Sequence, residues 1–445
     1  MAFRRKVYDE LLRWKQRDNG KTAVLLEGAR RVGKTTVVTE FAKNEYRSHI
    51  LIDFSEPSDD IVEIFENRTR DLDAFFQRLQ LTTGVRLHRR DSVIVFDEVQ
   101  KYPPAREMIK ALVQDGRYDY IETGSLISIK VNVGKIRIPS EEHRIPMYPM
   151  DFEEWLWANG DESTMDILRD VLRSREPLGF HTHESLMEKF RTYLVVGGMP
   201  QVVDTYLETR DLMMAEDRKR DILNLYRDDM MKLPEGLETK TLALLDSIPT
   251  MLSNKKKTFS AGKIMKGARS RSFGKAIKWL IESKIVNPCD LCNDPDVTVN
   301  MTRDRSRTKL YMADTGLLLS LSFGNNDENL QAAYLSLISG KLSINEGMFF
   351  ENVVAQQLAL TRRDLLFYEF RMGDSQMYEV DFILQGGRGI IPVEVKSSSS
   401  SRHKSLDLFM EKYGRRIEQT YVVHGKDLRV DGDVVYVPVY MAGLL

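Results

Sequence analysis

The run Gly28-Ala29-Arg30-Arg31-Val32-Gly33-Lys34-Thr35-Thr36 satisfies the spacing G-x-x-x-x-G-K-[ST] in full. Glycines at these positions let successive backbone N–H groups wrap an anion, and the start of the following helix adds a favourable dipole. Lys34 is placed to reach the β- and γ-phosphates of a nucleoside triphosphate, Thr35 to ligate Mg²⁺ through its hydroxyl, and Thr36 to contact the α-phosphate. A partner lies in Ser92-Val-Ile-Val-Phe96-Asp97-Glu98, where an apolar strand delivers two acids at its C-terminal end. Asp97 is expected to hold Mg²⁺ through water, and Glu98 to polarise the attacking water. The second acid points to hydrolysis of ATP and not to binding alone. Thr123 or Ser125, closing the next strand, can set a hydroxyl between the γ-phosphate and that water. Arg144 is a candidate transition-state cation, acting in cis or toward a neighbouring subunit.

A second constellation lies near the C-terminus. In Ile390-Ile-Pro-Val-Glu394-Val-Lys396 a period of two puts Ile391, Val393 and Val395 on one face and Glu394 with Lys396 on the other. Upstream, Asp381 interrupts the alternation of Tyr378, Val380, Phe382 and Leu384. A hairpin turn over Gly386-Gly-Arg-Gly389 sets Asp381 directly opposite Glu394. Facing carboxylates repel unless a cation lies between them, and oxygen ligands suit Mg²⁺ or Mn²⁺. Glu351 falls in line with Val354, Ala355 and Leu358 on a helix face that should point inward, which supplies a third acid in need of a partner. Glu346 competes for that place. Glu351, Asp381, Glu394 and Lys396 resemble the PD-(D/E)xK nuclease pattern. That resemblance implies that the three acids bind the metal and Lys396 orients water or offsets developing charge. The alternative pairs Lys396 with Glu379 on a solvated face and leaves Asp381 and Glu394 merely exposed.

The elements that must position these residues follow from pattern. Residues 1 to about 20 read as an amphipathic helix stopping at Asn19-Gly20. Short apolar runs at Ala23–Leu26, His49–Phe54, Val93–Phe96 and Asp119–Glu122 alternate with helical sequence, which predicts an α/β domain with a parallel sheet covered on both faces. From about 151 to 240 the pattern is helical, interrupted at Gly197-Gly198-Met199-Pro200. Helical patterns at Phe259–Ile264 and Ser272–Ile285 carry a basic cluster of Lys255, Lys256, Lys257, Lys263, Lys266, Arg269, Arg271, Lys275 and Lys278. Such a cluster suits phosphate contacts on DNA or RNA, and equally an ordinary solvated face of a protein-interaction module. Residues 341 to 361 read as a helix, and strands are expected at Leu365–Phe370, Met377–Leu384, Ile390–Lys396 and Thr420–His424, with a helix near Lys404–Tyr413.

At 445 residues the chain exceeds a single core, and a hydrophobic share of 42% fits folded domains. The net charge of −1 gives the whole molecule no field that would draw it to nucleic acid or an anionic membrane, so any basic surface is local. Cys289 and Cys292 form one C-x-x-C without a second ligand pair, which reads as a plain reduced loop. No run approaches the ~18 apolar residues of a membrane span, and the N-terminus lacks a signal-peptide core, so a cytoplasmic protein without membrane partners is expected.

The runs GARRVGKTT, VFDEVQ, TGS, RIPMYPMDFEEWL, YLVVGGMPQVV, SIPTMLSN, KLYMADTGLL, NEGMFFENVVAQQLA, YEVDFIL and PVEVKSSS, in that order, resemble the prokaryotic AAA-type ATPases joined to a DUF4143 domain. The resemblance spans nearly the whole chain. It implies an AAA-type P-loop domain over 1–150, a helical lid over 151–240, a winged-helix module over 241–325 and a restriction-endonuclease-like domain over 326–445. The family often has Gly-Arg where this chain has His143-Arg144. Homo-oligomers are frequent among AAA-type domains. Two functions follow as expectations. One is an ATPase that delivers nucleic acid to a metal-dependent nuclease, for which Lys34, Glu98, Asp381, Glu394 and Lys396 would be catalytic. The other is a switch in which the ATP state controls a protein or DNA contact and the C-terminal fold never cleaves. A third is a transcriptional regulator using the winged helix alone.

Overall fold

The computed structural model describes residues 3–66, 71–124, 141–254, 256–296, 298–324, 327–341, 346–371, 376–396 and 403–445. The chain forms two compact units, Met1–Tyr148 and Pro149–Leu445.

In the first unit, strands β1 (Ala23–Gly28), β2 (Ser48–Asp53), β3 (Ser92–Asp97), β4 (Asp119–Gly124) and β5 (Glu142–Met147) form a parallel sheet in the order β2-β3-β4-β1-β5. Alternation along the strands feeds two cores. Val24, Leu26, Val93 and Val95 pack with Val7, Leu11 and Trp14 of α1 (Lys6–Asp18) and Val37, Val38 and Phe41 of α2 (Lys34–Glu45). Ala23, Leu25, Ile94 and Phe96 face the other way, against α3 (Asp59–Glu66), α4 (Leu72–Thr83) and α5 (Pro103–Asp115). Burying each such side chain contributes about 1.5–3 kcal/mol, and a sheet covered on both faces needs apolar residues at both parities. β1 and β3, the strands that carry the two motifs, are accordingly buried along their whole length. The expected α1 stop holds: Asn19 is left-handed and its N–H bonds back to Lys15.

The second unit opens with helices α6 (Phe152–Ala158), α7 (Thr164–Ser174), α8 (Phe180–Val196), α9 (Pro200–Thr209), α10 (Leu212–Met231) and α11 (Leu237–Ser253). The break at Gly197-Gly198 has a packing reason. Gly198 donates its N–H to Asp314 at 2.6 Å and accepts from the Met150 N–H at 2.7 Å, and a Cβ there would collide with the Met150 backbone. The GGMP and MADTG runs therefore meet at one buried aspartate.

Helices α12 (Ala261–Ile264), α13 (Gly274–Glu282), α14 (Thr315–Phe323), α15 (Asp327–Ile338), α16 (Glu346–Leu360) and α17 (Lys404–Tyr413) follow, around one sheet of eight strands. These are β6 (Val286–Cys292), β7 (Arg303–Met312), β8 (Leu365–Arg371), β9 (Met377–Gln385), β10 (Ile390–Lys396), β11 (Thr420–His424), β12 (Arg429–Asp431) and β13 (Val434–Pro438), in the order β12-β13-β11-β10-β9-β8-β6-β7. The helix expected at Phe259–Ile264 shrinks to the single turn α12, because the Phe259 N–H instead bonds the Thr308 carbonyl of β7 at 2.8 Å. Cys289 and Cys292 lie in strand β6 and not in a loop; both are buried free thiols. Three residues apart on a strand, they point to opposite faces, so they share neither a disulfide nor a metal.

Candidate functional site

The phosphate loop leaves β1 at Gly28, where a Cβ would collide with the carbonyl oxygen of Met147 on the neighbouring strand β5. Arg31 and Gly33 both take positive φ, 66° and 95°, so the loop doubles back before α2 begins at Lys34. Ala29 and Val32 are buried beneath it, while Arg31 and Thr36 are exposed. Lys34 is buried, 5% exposed, and its ammonium donates to the Gly28 and Ala29 carbonyls at 3.0 Å each. Burial pushes its pKa down, with Glu98 and then Asp97 as the acids that pull it back. A buried cation resting on neutral carbonyls, inside a loop rich in N–H groups, is chemically equipped to take an anion.

Asp97 ends β3, and the Thr35 hydroxyl donates to both of its carboxylate oxygens, at 3.0 and 2.9 Å. Thr123 on β4 donates to the same carboxylate. Burial raises the Asp97 pKa, and these two hydroxyls lower it. A hydroxyl and a carboxylate in contact are hard oxygen donors, the set that Mg²⁺ takes together with phosphate and water. Glu98 follows in the left-handed region (φ 52°, ψ 40°), a costly place for a glutamate. Its N–H donates to Thr123 Oγ1 at 3.2 Å, and one carboxylate oxygen accepts from the Gln100 amide at 2.5 Å.

Of the expected residues, Ser125 lies outside the described ones. Arg144 pairs with Glu142 of its own strand at 2.8 Å, and Glu142 also takes Arg106 at 2.6 Å. Arg106 reaches Glu122 as well, at 3.0 Å; burial nevertheless pushes the Glu122 carboxyl up to about 8. Two neighbours escaped the sequence reading. Gln100 stands in the VFDEVQ run without a recognisable role, and Asp53, exposed at the end of β2, sits in register with Asp97 and raises its pKa.

The C-terminal acids also meet, at the junction of β7, β9, β10 and α16. Register pairs Ile390 with Gln385 through to Val393 with Phe382, the alignment that continues to Glu394 opposite Asp381. Asp381 accepts from the Val395 N–H at 2.8 Å, and Lys396 pairs with Glu394 at 2.6 Å. The solvated alternative does not describe this arrangement: Glu394 is 5% exposed, and Glu379 pairs with Lys309 at 2.7 Å instead of with Lys396. Glu351 is buried on α16, ion-paired with Lys257, 3.7 Å from Lys309, and accepts from the Tyr311 hydroxyl. Burial pushes Glu351 up, but the two lysines outweigh it and hold it below the usual range. Asp381 is driven well above that range by burial and by Glu394 and Glu351. The second Glu394 oxygen is buried without a hydrogen-bond partner among the described residues. Lysines thus pair with Glu351 and Glu394, two of the three acids expected to hold a metal. Among the described residues, no three His, Cys, Asp or Glu side chains form a group that could hold one as they stand. The Glu346 side chain lies outside the described set.

Family models cover these regions separately. Residues 20–156 match the model described as AAA domain, and residues 346–441 match the domain of unknown function DUF4143. The chain is an AAA-type P-loop protein with a C-terminal DUF4143 domain. Between the two, residues 187–328 match the domain of unknown function DUF8612. The AAA domain contains the whole phosphate loop with Asp97 and Glu98, while DUF4143 contains Glu351, Asp381, Glu394 and Lys396 but neither Lys257 nor Lys309.

No curated protein matches the chain. Among solved structures, similarity extends to Cdc6p of Pyrobaculum aerophilum, at 14% identity over 76% of this chain and 94% of that one, with a TM-score of 0.27. The Aeropyrum pernix Orc1 protein in complex with DNA matches at 13% identity over 75% and 94%, TM-score 0.27. A signal transduction ATPase with numerous domains and a tetratricopeptide repeat sensor, from Pyrococcus horikoshii, matches at 12% over 81% and 50%, TM-score 0.29. Likeness at this level adds nothing to the function read from the site.

Proposed function

We propose that the chain is an ATP-hydrolysing switch whose nucleotide state controls contact with the backbone of DNA or RNA. The buried Lys34 ammonium, resting on carbonyls within the loop Gly28–Thr36, is the observation that carries the ATP half. When phosphate enters, Lys34 exchanges neutral carbonyl acceptors for charged ones, and the loop N–H groups and the α2 N-terminus share the negative charge. Thr35 and Asp97 would hold Mg²⁺, which when bound neutralises phosphate charge. Glu98 accepts the proton of the attacking water, and the Thr123 hydroxyl fixes Asp97 and the Glu98 backbone together.

The nucleic-acid half rests on charge placement. Residues 255–281 hold nine lysines and arginines and no acid, in a chain of net charge −1. Lys263, Lys266, Arg269, Arg271, Lys275 and Lys278 are all exposed on and around α12 and α13. Such a surface pairs with phosphates and releases counterions. The same reading divides the chain into an ATPase domain (1–150), a helical lid (151–240), a winged-helix module (241–325) and a nuclease-like domain (326–445), with β6 and β7 of the third span completing the sheet of the fourth. It places the protein in the cytoplasm, as homo-oligomers; no helix among the described residues is long and apolar enough to cross a membrane. The switch is favoured over the nuclease because Lys257, Lys309 and Tyr311 already satisfy Glu351. Cleavage with Mg²⁺ or Mn²⁺ stays as the second reading, on one observation, a buried Glu394 oxygen without a hydrogen-bond partner among the described residues, on the residue next in register to the Val393–Phe382 pair.

The test measures phosphate release and binding of labelled DNA and RNA by the full-length protein, with and without ATP, across salt concentrations. Steady ATP turnover, binding that weakens steeply with salt, and affinity that changes between nucleotide states are expected. Nucleic-acid affinity identical with ATP, with ADP and with neither would end the switch reading. Cleaved product that disappears in Asp381→Ala would favour the second reading over the first.

A further inference from the structure

Glu98 is held at two points. Its backbone is fixed in the left-handed region by the Thr123 hydroxyl, and one oxygen of its carboxylate is fixed by the side-chain amide of Gln100. Gln100 is itself immobile for a clear reason. It lies in the 3-10 turn Val99–Lys101 that the left-handed Glu98 creates, the Lys101 N–H closes that turn on the Glu98 carbonyl at 2.9 Å, and Gln100 is 3% exposed. Glu98 lies near enough to the Lys34 ammonium to raise its pKa, ahead of Asp97. A glutamate side chain left to itself samples several rotamers. A buried amide two residues on removes that freedom and leaves the other carboxylate oxygen for a water molecule. An amide donor also does this without changing the base's charge, whereas a lysine or arginine would form an ion pair and weaken it as a base.

We infer that Gln100 is a positioning residue that orients Glu98 toward the attacking water by donating its amide hydrogen to one oxygen of that carboxylate. The inference rests on Glu98 acting as the base. In this role Gln100 acts on the reaction through Glu98.

The test is steady-state ATP turnover of the full-length protein with saturating Mg²⁺ between pH 5.5 and 9, for wild type, Glu98→Gln, Gln100→Ala and Gln100→Glu. Gln100→Ala should lower kcat by about 10–100-fold and leave KM within about threefold, because orientation and not binding is lost. Gln100→Glu is nearly isosteric and keeps the donor only while the two carboxylates share a proton. Its kcat relative to wild type should therefore fall as the pH rises, a readout that packing alone does not move. Gln100→Ala with wild-type kcat, or a Gln100→Glu ratio constant with pH, overturns the inference. If Gln100→Ala does not fold, the pH ratio of the isosteric variant still decides. Glu98→Gln turning over at the wild-type rate would instead remove the base itself. Slow Glu98→Gln beside normal Gln100 variants removes only this inference.

Discussion

Two regions of this molecule bury lysines among acids, and they balance the charge in opposite ways. At the phosphate loop the Lys34 ammonium hydrogen-bonds two carbonyls, and the acids nearby are occupied by hydroxyls and an amide. In the DUF4143 region, Glu351 takes Lys257 and Lys309, Glu379 takes Lys309, and Glu394 takes Lys396. A buried ammonium on carbonyls gains a stronger partner when an anion arrives. A buried carboxylate already held by ammonium groups gains little from a further cation, which must first displace a lysine. The first arrangement leaves its ammonium on neutral carbonyls; in the second, lysines hold Glu351, Glu379 and Glu394, and one Glu394 oxygen has no hydrogen-bond partner among the described residues. Catalytic-looking acids in the same pattern of types can thus belong to either, and the partner lysines decide which.

That contrast can be broken most sharply at Lys34. Lys34→Ala should cut ATP turnover by about 10³-fold, measured by phosphate release, since it removes the one cation the loop buries. Normal turnover in that variant would refute the assignment of the loop. Next comes Lys257→Met, which among the described residues leaves Glu351 with Lys309 and Tyr311. Breaking a buried pair from one side should cost about 3 kcal/mol in urea denaturation. An unchanged midpoint would show that lysines do not close the cluster. The smallest effect concerns His424, a third way of handling buried charge, which is to avoid it. Burial, helped by Arg429, lowers its imidazole pKa to about 4, and its Nε2 is buried without a hydrogen-bond partner among the described residues. The unfolded chain binds that proton near pH 6.5 and the fold resists it to about 4, so stability is full above the first value and is lost as pH falls toward the second. Lowering the pH from 7 to 5 should therefore reduce the unfolding free energy, measured by urea denaturation, more in wild type than in His424→Phe, by a difference of roughly 1–2 kcal/mol at pH 5. Parallel pH curves would show that His424 titrates normally.

Much of the first unit was legible because its signals are local. A buried parallel strand, a glycine turn and a helix start announce themselves within twenty residues, and β1 to β4 and α2 lie where the patterns put them. The β9–β10 register was legible for the same reason, a four-residue glycine turn that fixes the pairing. Strands β6 and β7 were not. Arg303, Arg305 and Arg307 in β7 give no apolar alternation; Arg303 pairs with Asp290 and Asp364, and Arg307 with Glu369, so residues remote in sequence supply what a hydrophobic face usually does. The choice of lysine for each acid was hidden likewise. Lys257 and Glu351 are 94 residues apart, and nothing near either predicts the other.

Strand β6 hydrogen-bonds β7 on one side and β8 on the other, which joins β6 and β7 to the DUF4143 strands in one sheet. Severing the polypeptide near residue 325 to obtain either half would part the three residue pairs that join β6 to β8 and bare a strand edge on each fragment, an invitation to self-association. Anyone wishing to isolate the carboxyl-terminal portion must carry β6 and β7 along with it.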